Sequence, residues 1–318
     1  MIGKHTISFL LLVVAALLQT AQAQPTSSVF DAKQLLLDIK TLSADDMQGR
    51  LMETPGGKKA REYVLQRFKN SGLKSLGNSF LQPFEFTGKA NKKVQGVNVI
   101  GYLKGKQTAD KYIVVTAHYD HLGVSGGEIF NGADDNASGV AALFTLAAYF
   151  NKNRPANSII FVALDAEEAG LWGAKKFVAA PPVKKDSIVM NVNFDMISHN
   201  NVNELYASGT RHYQFLKPYL EEVARTAPVK LRLGHDAPIP LQDDWTSQSD
   251  HFEFHKAKIP FIYFGVEDHA DYHRPTDDFA NINQTFYVHA VETVLEAIKK
   301  FDANLAQIES KKKAASNN

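Results

Sequence analysis

A series of buried-strand patterns constrains this chain more than any other feature. Continuous apolar, β-branched runs occupy residues 97–103, 112–117, 158–164, 188–194 and 260–264. Uninterrupted runs of this kind are typical of strands that are buried on both faces. Helical patterns lie between them, the clearest over residues 138–151, where apolar side chains form one stripe. The alternation predicts an α/β fold, with a mostly parallel, mixed central sheet that helices cover on both faces.

The two ends of the chain differ in character from this middle part. Lys4 and His5 precede an apolar run over residues 7–18, and Ala21-Gln22-Ala23 fits a signal peptidase site. The run is shorter than the roughly 20 residues that a membrane-spanning helix needs. We therefore predict a signal peptide at residues 1–23, an exported protein that is periplasmic or secreted, and no stable membrane anchor after cleavage.

The remaining chain reads as one unit. Helical patterns occur at residues 29–51 and 56–72, and a last helix is expected at 286–301. No repeat or linker divides the chain, so residues 24–309 are predicted to form a single domain. The Lys-, Ser- and Asn-rich end, residues 310–318, is predicted to be disordered.

Composition narrows the chemistry. The chain has 0 Cys, which excludes disulfides and thiolate metal sites. A metal ion would need His, Asp and Glu ligands. The formal net charge of +1 gives no reason to expect a nucleic acid or an anionic membrane as partner. The oligomeric state does not follow from the sequence.

Acidic residues and histidines follow the predicted buried strands. Asp195 comes directly after one predicted strand, and His118 comes directly after another. Glu167 and Glu168 follow a third strand after two residues. His273 follows the fourth after a short loop. Any one of them could be a helix cap or an ordinary loop residue. The carboxyl ends of parallel strands share one edge of a sheet, however, so together they predict a hydrolytic divalent-metal site there.

A Gly-bounded acidic loop, Asn131-Gly132-Ala133-Asp134-Asp135-Asn136-Ala137-Ser138-Gly139, precedes the apolar helix. Part of it is expected to form a turn and a helix cap, through Ser138 or Asn136. A carboxylate from this loop could also bridge two metal ions with its two oxygens.

Five motifs now occur in a fixed order: His-x-Asp, Gly-Ala-Asp-Asp-Asn-Ala-Ser-Gly, Glu-Glu-x-Gly, Phe-Asp-Met and Tyr-His. In this order they resemble the M28 family of zinc aminopeptidases, whose two ions act together, and the match spans roughly residues 94–300. The resemblance implies the fold of zinc-dependent exopeptidases, which is phosphorylase/hydrolase-like. It also implies two Zn²⁺ ions bridged by Asp135. His118 and Asp195 would complete one metal site, and Glu168 and His273 the other.

The resemblance also implies roles for neighbouring residues. Asp134 competes with Asp135 for the bridge, but Asp135 matches the family's loop, in which the next peptide bond is often cis. Glu167 would be the general base that takes a proton from the water between the metals and delivers it to the leaving amine. Asp120 is expected to accept a hydrogen bond from the ring of the ligand His118. Tyr272 is either a donor to the oxyanion or a packing residue.

Other polar and aromatic residues receive no such role. The following histidines are predicted to be surface or loop residues: His121, His199, His212, His235, His255 and His269. Ser249-Asp250-His251 resembles a family loop near the substrate, without a ligand role. The aromatic residues Trp172, Trp245, Phe252 and Phe254 could line a specificity pocket or belong to the core.

The resulting expectation is an exported two-zinc aminopeptidase that acts on peptide substrates. A glutaminyl cyclase, which shares this fold and uses one zinc, is the nearest alternative. A carboxypeptidase or dipeptidase on the same scaffold is also possible. A binding domain that has lost its chemistry is the alternative from another class, but every expected ligand position and Glu167 are filled.

Overall fold

The computed structural model describes residues 25–237 and 243–316. The predicted signal peptide and residues 317–318 lie outside these ranges. The α-helices are α1 Ala32–Leu42, α2 Pro55–Asn70, α3 Gly139–Lys152, α4 Trp172–Ala179, α5 Lys217–Ala224, α6 His251–Lys256, α7 Gln284–Ala303 and α8 Leu305–Ser316. The strands are β1 Leu81–Thr87, β2 Lys93–Leu103, β3 Thr108–His118, β4 Gly123–Ser125, β5 Glu128–Phe130, β6 Asn157–Leu164, β7 Ile188–Phe194, β8 Glu204–Ser208, β9 Lys230–Leu233 and β10 Phe261–Gly265.

The central sheet has eight strands in the order β1-β2-β6-β3-β7-β10-β8-β9. Its centre, β6-β3-β7-β10, is parallel throughout. The strands β2 and β8 pair antiparallel with either side of that centre. The prediction of a mostly parallel, mixed sheet is confirmed, and four of the five predicted strands form its parallel centre.

Burial explains why the sequence signal was strongest at the centre of the sheet. Every residue of β6 and β7 is buried. Successive side chains of a strand point to opposite faces, so Val115 packs in one hydrophobic cluster and Val114 in the other. The first cluster includes Phe144 of α3, and the second includes Phe177 of α4. Helices therefore cover both faces of the sheet.

The chain ends differ from the predictions. The predicted helix at 29–51 stops at Leu42, and a short 3-10 segment, Asp45–Arg50, follows it. The predicted disorder is wrong for residues 310–316, which continue α8 to Ser316. Ile308 is buried against the core, and Glu309 forms a 2.7 Å ion pair with Lys313 one turn later. No helix within the described ranges is long and apolar enough to cross a membrane.

Candidate metal and catalytic site

The parallel strands bring the predicted ligands to one edge of the sheet. His118 is the last residue of β3, and Asp195 follows β7 directly. Glu168 lies on the turn after β6. The loop before α3 supplies Asp135, and the loop after β10 supplies His273. All of these side chains line one cavity of 460 Å³.

One set of ligands surrounds His118. Its Nε2 lies 3.2 Å from Asp195 Oδ1 and 3.4 Å from Asp135 Oδ1. All three side chains are buried. The other oxygen of Asp195, Oδ2, accepts a 2.6 Å hydrogen bond from Ser249 Oγ. Ser249, for which no ligand role was predicted, therefore orients Asp195.

A second set surrounds the other oxygen of Asp135. His273 Nε2 lies 3.1 Å from Asp135 Oδ2 and 3.5 Å from Glu168 Oε2. His121 Nδ1 lies 2.8 Å from Glu168 Oε1, and the side chain of His121 is 0% exposed. His121 lies in the loop after β3, one of the two predicted settings, but this loop turns its ring inward and not to the surface. Asp135 thus presents one oxygen to each set.

These distances fit zinc. Ligands at about 2.0–2.2 Å from a tetrahedral Zn²⁺ ion lie about 3.3 Å from one another. Burial disfavours a positive charge on His118, but the carboxylates of Asp195 and Glu167 outweigh it and raise the pKa of the imidazole well above its usual value. The cluster therefore favours a positive charge beside His118 Nε2, which a divalent cation would supply.

The loop that carries Asp135 is fixed by its backbone. Asp277 accepts hydrogen bonds from the N–H groups of Asp134 at 2.8 Å and Asp135 at 3.0 Å. The peptide bond between Asp135 and Asn136 is cis, as the resemblance implied. The Asp134 carboxylate points elsewhere, since Oδ1 accepts the N–H and O–H of Ser198. Asp134 Oδ2 lies 3.0 Å from His269 Nε2. This geometry favours Asp135 as the bridging residue.

A buried arginine lies beneath both ligand sets. Arg50 is 1% exposed. Its guanidinium donates to the backbone carbonyls of Leu42, Tyr119, Asn131 and Gly132 at 2.5–2.9 Å, and to that of Asp135 at 3.3 Å. Of these acceptors, Tyr119 is the neighbour of His118 in the chain, and Asp135 is itself a predicted ligand. The supporting role of Arg50 could not be predicted from the sequence, because Arg50 lies in a segment with a helical pattern.

Asp120 acts differently from the prediction. His118 Nδ1 meets the backbone carbonyl of Asp120 at 3.2 Å, whereas the carboxylate lies 3.8 Å away. That carboxylate instead accepts the N–H groups of Glu167 at 3.1 Å and Glu168 at 3.3 Å. The turn after β6 exposes these N–H groups, and a carboxylate satisfies both of them. Asp120 therefore positions the two glutamates.

Glu167 and Tyr272 line the cavity beside the ligands. Burial raises the pKa of Glu167 well above its usual value. The ring of Tyr272 stacks on His273 with centroids 4.0 Å apart. Tyr272 also packs against the main hydrophobic cluster. The proton-carrier role of Glu167 and the two alternative roles of Tyr272, oxyanion donor or packing residue, stay predictions.

The aromatic residues divide between cavity and core. Trp245 lines the cavity. Trp172 instead stacks on Phe86, with centroids 4.8 Å apart, and Phe254 is buried in the core. Apolar Met196 and Val266 and acidic Asp268 also line the cavity.

Some of the other histidines are also buried. His235 lies in the loop after β9, one of its two predicted settings, but it is 1% exposed and stacks on the Trp245 ring with centroids 3.6 Å apart. His199 and His269 stack on each other at 3.8 Å and are partly buried. His255 is partly buried, and His212 is exposed. An aromatic neighbour that covers an imidazole cannot be deduced from the local sequence.

Comparisons with known proteins agree with this geometry. Residues 98–298 match the model of peptidase family M28. Aminopeptidase YwaD of Bacillus subtilis is 33% identical over 219 residues, which cover 64% of this chain and 45% of that protein. The chain thus spans about half the length of the curated relatives it matches.

Two solved structures share the fold. A Zn-dependent exopeptidase from Parabacteroides distasonis has a TM-score of 0.70 and 20% identity, covering 85% of this chain and 98% of that one. A glutaminyl cyclase from Bacteroides thetaiotaomicron has a TM-score of 0.70 and 20% identity, covering 86% and 99%. At such identity the likeness concerns the fold alone. The family match covers most of the chain, and the chain belongs to peptidase family M28.

Proposed function

We propose that this chain is an exported aminopeptidase that uses two zinc ions to remove N-terminal residues from peptides. One observation carries the proposal. The two oxygens of Asp135 face two different groups of ligands, with His118 and Asp195 on one side and Glu168 and His273 on the other. A carboxylate divided in this way is suited to bridge two ions.

The residues of the cavity support hydrolysis. Bound zinc would polarise the carbonyl of the scissile bond and make water more acidic. Glu167 is the chain neighbour of the predicted ligand Glu168. His121 and His273 contact the carboxylate of Glu168. The carboxylate of Glu167 would take the proton of the attacking water and give it to the leaving amine. Tyr272, which lines the same cavity, would donate a hydrogen bond to the carbonyl oxygen as it gains negative charge.

The relatives support the exopeptidase class. The curated relative with 33% identity is named an aminopeptidase. The signal peptide expected at residues 1–23 would direct the enzyme to the periplasm or the medium. We expect peptides to be its partners, with no nucleic acid and no membrane anchor.

The proposal can be tested by mass spectrometry on a mixed peptide set. Half of the peptides carry a free N-terminus and half are acetylated, and each half is incubated with the purified protein with and without a chelator. We expect loss of single N-terminal residues from the free peptides alone, and the chelator should abolish it. Metal analysis of the same sample should give two zinc ions per chain, and N-terminal sequencing of protein secreted by an expression host should begin near Gln24.

The alternatives give different results. Loss of ammonia from peptides with N-terminal Gln would identify a glutaminyl cyclase, the activity named for one protein with the same fold. Release of C-terminal residues would identify a carboxypeptidase. Unchanged peptides with zinc bound would indicate a domain that binds without catalysis.

A further inference from the structure

His121 lies among the ligands of the second set without being expected there. Its side chain is 0% exposed. Nδ1 lies 2.8 Å from Glu168 Oε1 and 3.8 Å from Asp135 Oδ2. His121, Asp135 and Glu168 together form one of the groups of side chains in the described ranges that could hold a metal ion. The question is what a second imidazole does beside His273.

The contact between His121 and Glu168 determines which nitrogen of the imidazole carries the hydrogen. A carboxylate oxygen only accepts hydrogen bonds, so the hydrogen of a neutral His121 ring must be on Nδ1. The opposite nitrogen, Nε2, has no hydrogen-bond partner among the residues that the structure describes. His121 is therefore built as a donor to Glu168.

The backbone leaves room for the ring in this position. A Cβ on Gly132 would lie 2.5 Å from His121 Cδ2, and Gly132 has a φ of +57°. Any larger residue there would collide with the imidazole and would be strained in this conformation. The packing thus fixes the ring against Glu168.

The two oxygens of Glu168 consequently have different neighbours. Oε1 faces His121 Nδ1 at 2.8 Å, and Oε2 faces His273 Nε2 at 3.5 Å. A carboxylate that binds zinc through both oxygens would fill a coordination position that a substrate needs. We propose that His121 is a positioning residue, which engages Oε1 so that Glu168 offers Oε2 alone to the second ion. This inference rests on the proposed two-zinc function.

The decisive experiment compares His121→Phe with His121→Asn. Phenylalanine fills the same space without a donor, while the asparagine amide N–H can replace the Nδ1–H. His255→Phe, at a partly buried imidazole that contacts Tyr213, is the matched control. Zinc binding to each metal-free protein is measured by competition with a coloured chelator, and the visible spectrum of the Co²⁺-loaded protein reports the coordination number.

We expect wild type to bind two ions and His121→Phe to bind the second about 10- to 100-fold more weakly, as for other residues that orient metal ligands. Its Co²⁺ absorption should weaken as Glu168 becomes bidentate, and His121→Asn should restore both the affinity and the spectrum. Circular dichroism of the metal-free proteins separates these effects from misfolding, and His121→Gln, with its amide one carbon farther out, replaces His121→Phe if that variant does not fold.

Other outcomes would overturn the inference. Loss of the second ion in both His121→Phe and His121→Asn would show that His121 is itself a ligand. Wild-type zinc affinity and an unchanged Co²⁺ spectrum in His121→Phe would show that His121 does not position Glu168. A wild-type protein that binds one ion would instead refute the two-zinc proposal itself, so the two failures are distinguishable.

Discussion

Replacement of Arg50 by methionine is expected to destabilise the fold strongly and to disturb both ligand sets. Methionine keeps an apolar stem but has no donor for the backbone carbonyls that Arg50 binds. Those carbonyls belong to the end of α1, to the loop after β3 and to the loop that carries Asp135. The arginine is the point at which these three segments meet.

The magnitude follows from the hydrogen bonds and the buried charge. Each hydrogen bond from a charged donor contributes about 1.5–3 kcal/mol. The four shorter bonds of Arg50, which exclude the 3.3 Å bond to Asp135, would therefore sum to about 6–12 kcal/mol if they were additive. Burial opposes this, since it lowers the pKa of Arg50 from 12.5 to about 10, a difference worth about 3 kcal/mol. We therefore expect Arg50→Met to reduce the free energy of unfolding by at least about 3 kcal/mol, the lower hydrogen-bond figure less the cost of burial.

Urea unfolding of the metal-free variants measures this effect. Arg50→Lys retains the charge but cannot form the planar fork, so its loss should be about half as large. In the folded Arg50→Lys protein, zinc affinity should fall at both sets, because the backbone of Tyr119 and Asp135 is no longer fixed. A loss below about 1 kcal/mol for Arg50→Met, or unchanged zinc affinity in Arg50→Lys, would refute the reasoning.

Four further predictions concern single side chains. Glu167→Gln should keep both metals and lower kcat by two or more orders of magnitude; metal loss, measured by metal analysis, would contradict the separate roles of the glutamates. Ser249→Ala removes the 2.6 Å bond to Asp195 and should weaken zinc binding about tenfold in chelator competition. Burial lowers the pKa of His251 from 6.5 to about 4. As pH falls, His251 therefore takes up a proton in the unfolded state before it does so in the folded state, and the free energy of unfolding should drop by about 2 kcal/mol from pH 7 to pH 5. In urea titrations His251→Phe should lose this pH dependence. Asp268→Asn should lower kcat/KM about fivefold for p-nitroanilides of Lys and Arg but little for Leu, because a favourable charge pair contributes about 1 kcal/mol. An equal loss for all three substrates would show that Asp268 binds the substrate's amine instead.

The buried strands were predictable because burial on both faces imposes a continuous apolar run. The strands β1, β8 and β9, near the two sides of the sheet, carry no such run. In β1 the buried residues Phe84 and Phe86 alternate with exposed Pro83 and Glu85. The strands β8 and β9 have only 5 and 4 residues. A short strand of this kind is defined by its partner in the sheet, which local sequence does not reveal.

The residues of the candidate site also divide into those that could be predicted from the sequence and those that could not. His118, Glu168 and Asp195 could be identified because each stands at or just after a buried strand. His121 could not, because its partner Glu168 is 47 positions away and the contact depends on how the loop after β3 bends. For Arg50 the separation from Asn131 is 81. A lone polar residue in a loop or helix has many possible partners, and only tertiary packing selects one.

The two ligand sets differ in their access to solvent, and this determines where a substrate can enter. The side chains of His118 and Asp195 are 2% and 11% exposed, whereas His273 is 40% exposed. If the proposed function is right, a peptide would therefore approach past His273. Trp245 and Asp268, which line the same cavity, lie outside the strands of the sheet. Changes at these positions would alter the preferred substrate without moving the ligands that β3 and β7 fix, because connecting segments tolerate substitution better than the strands that support them.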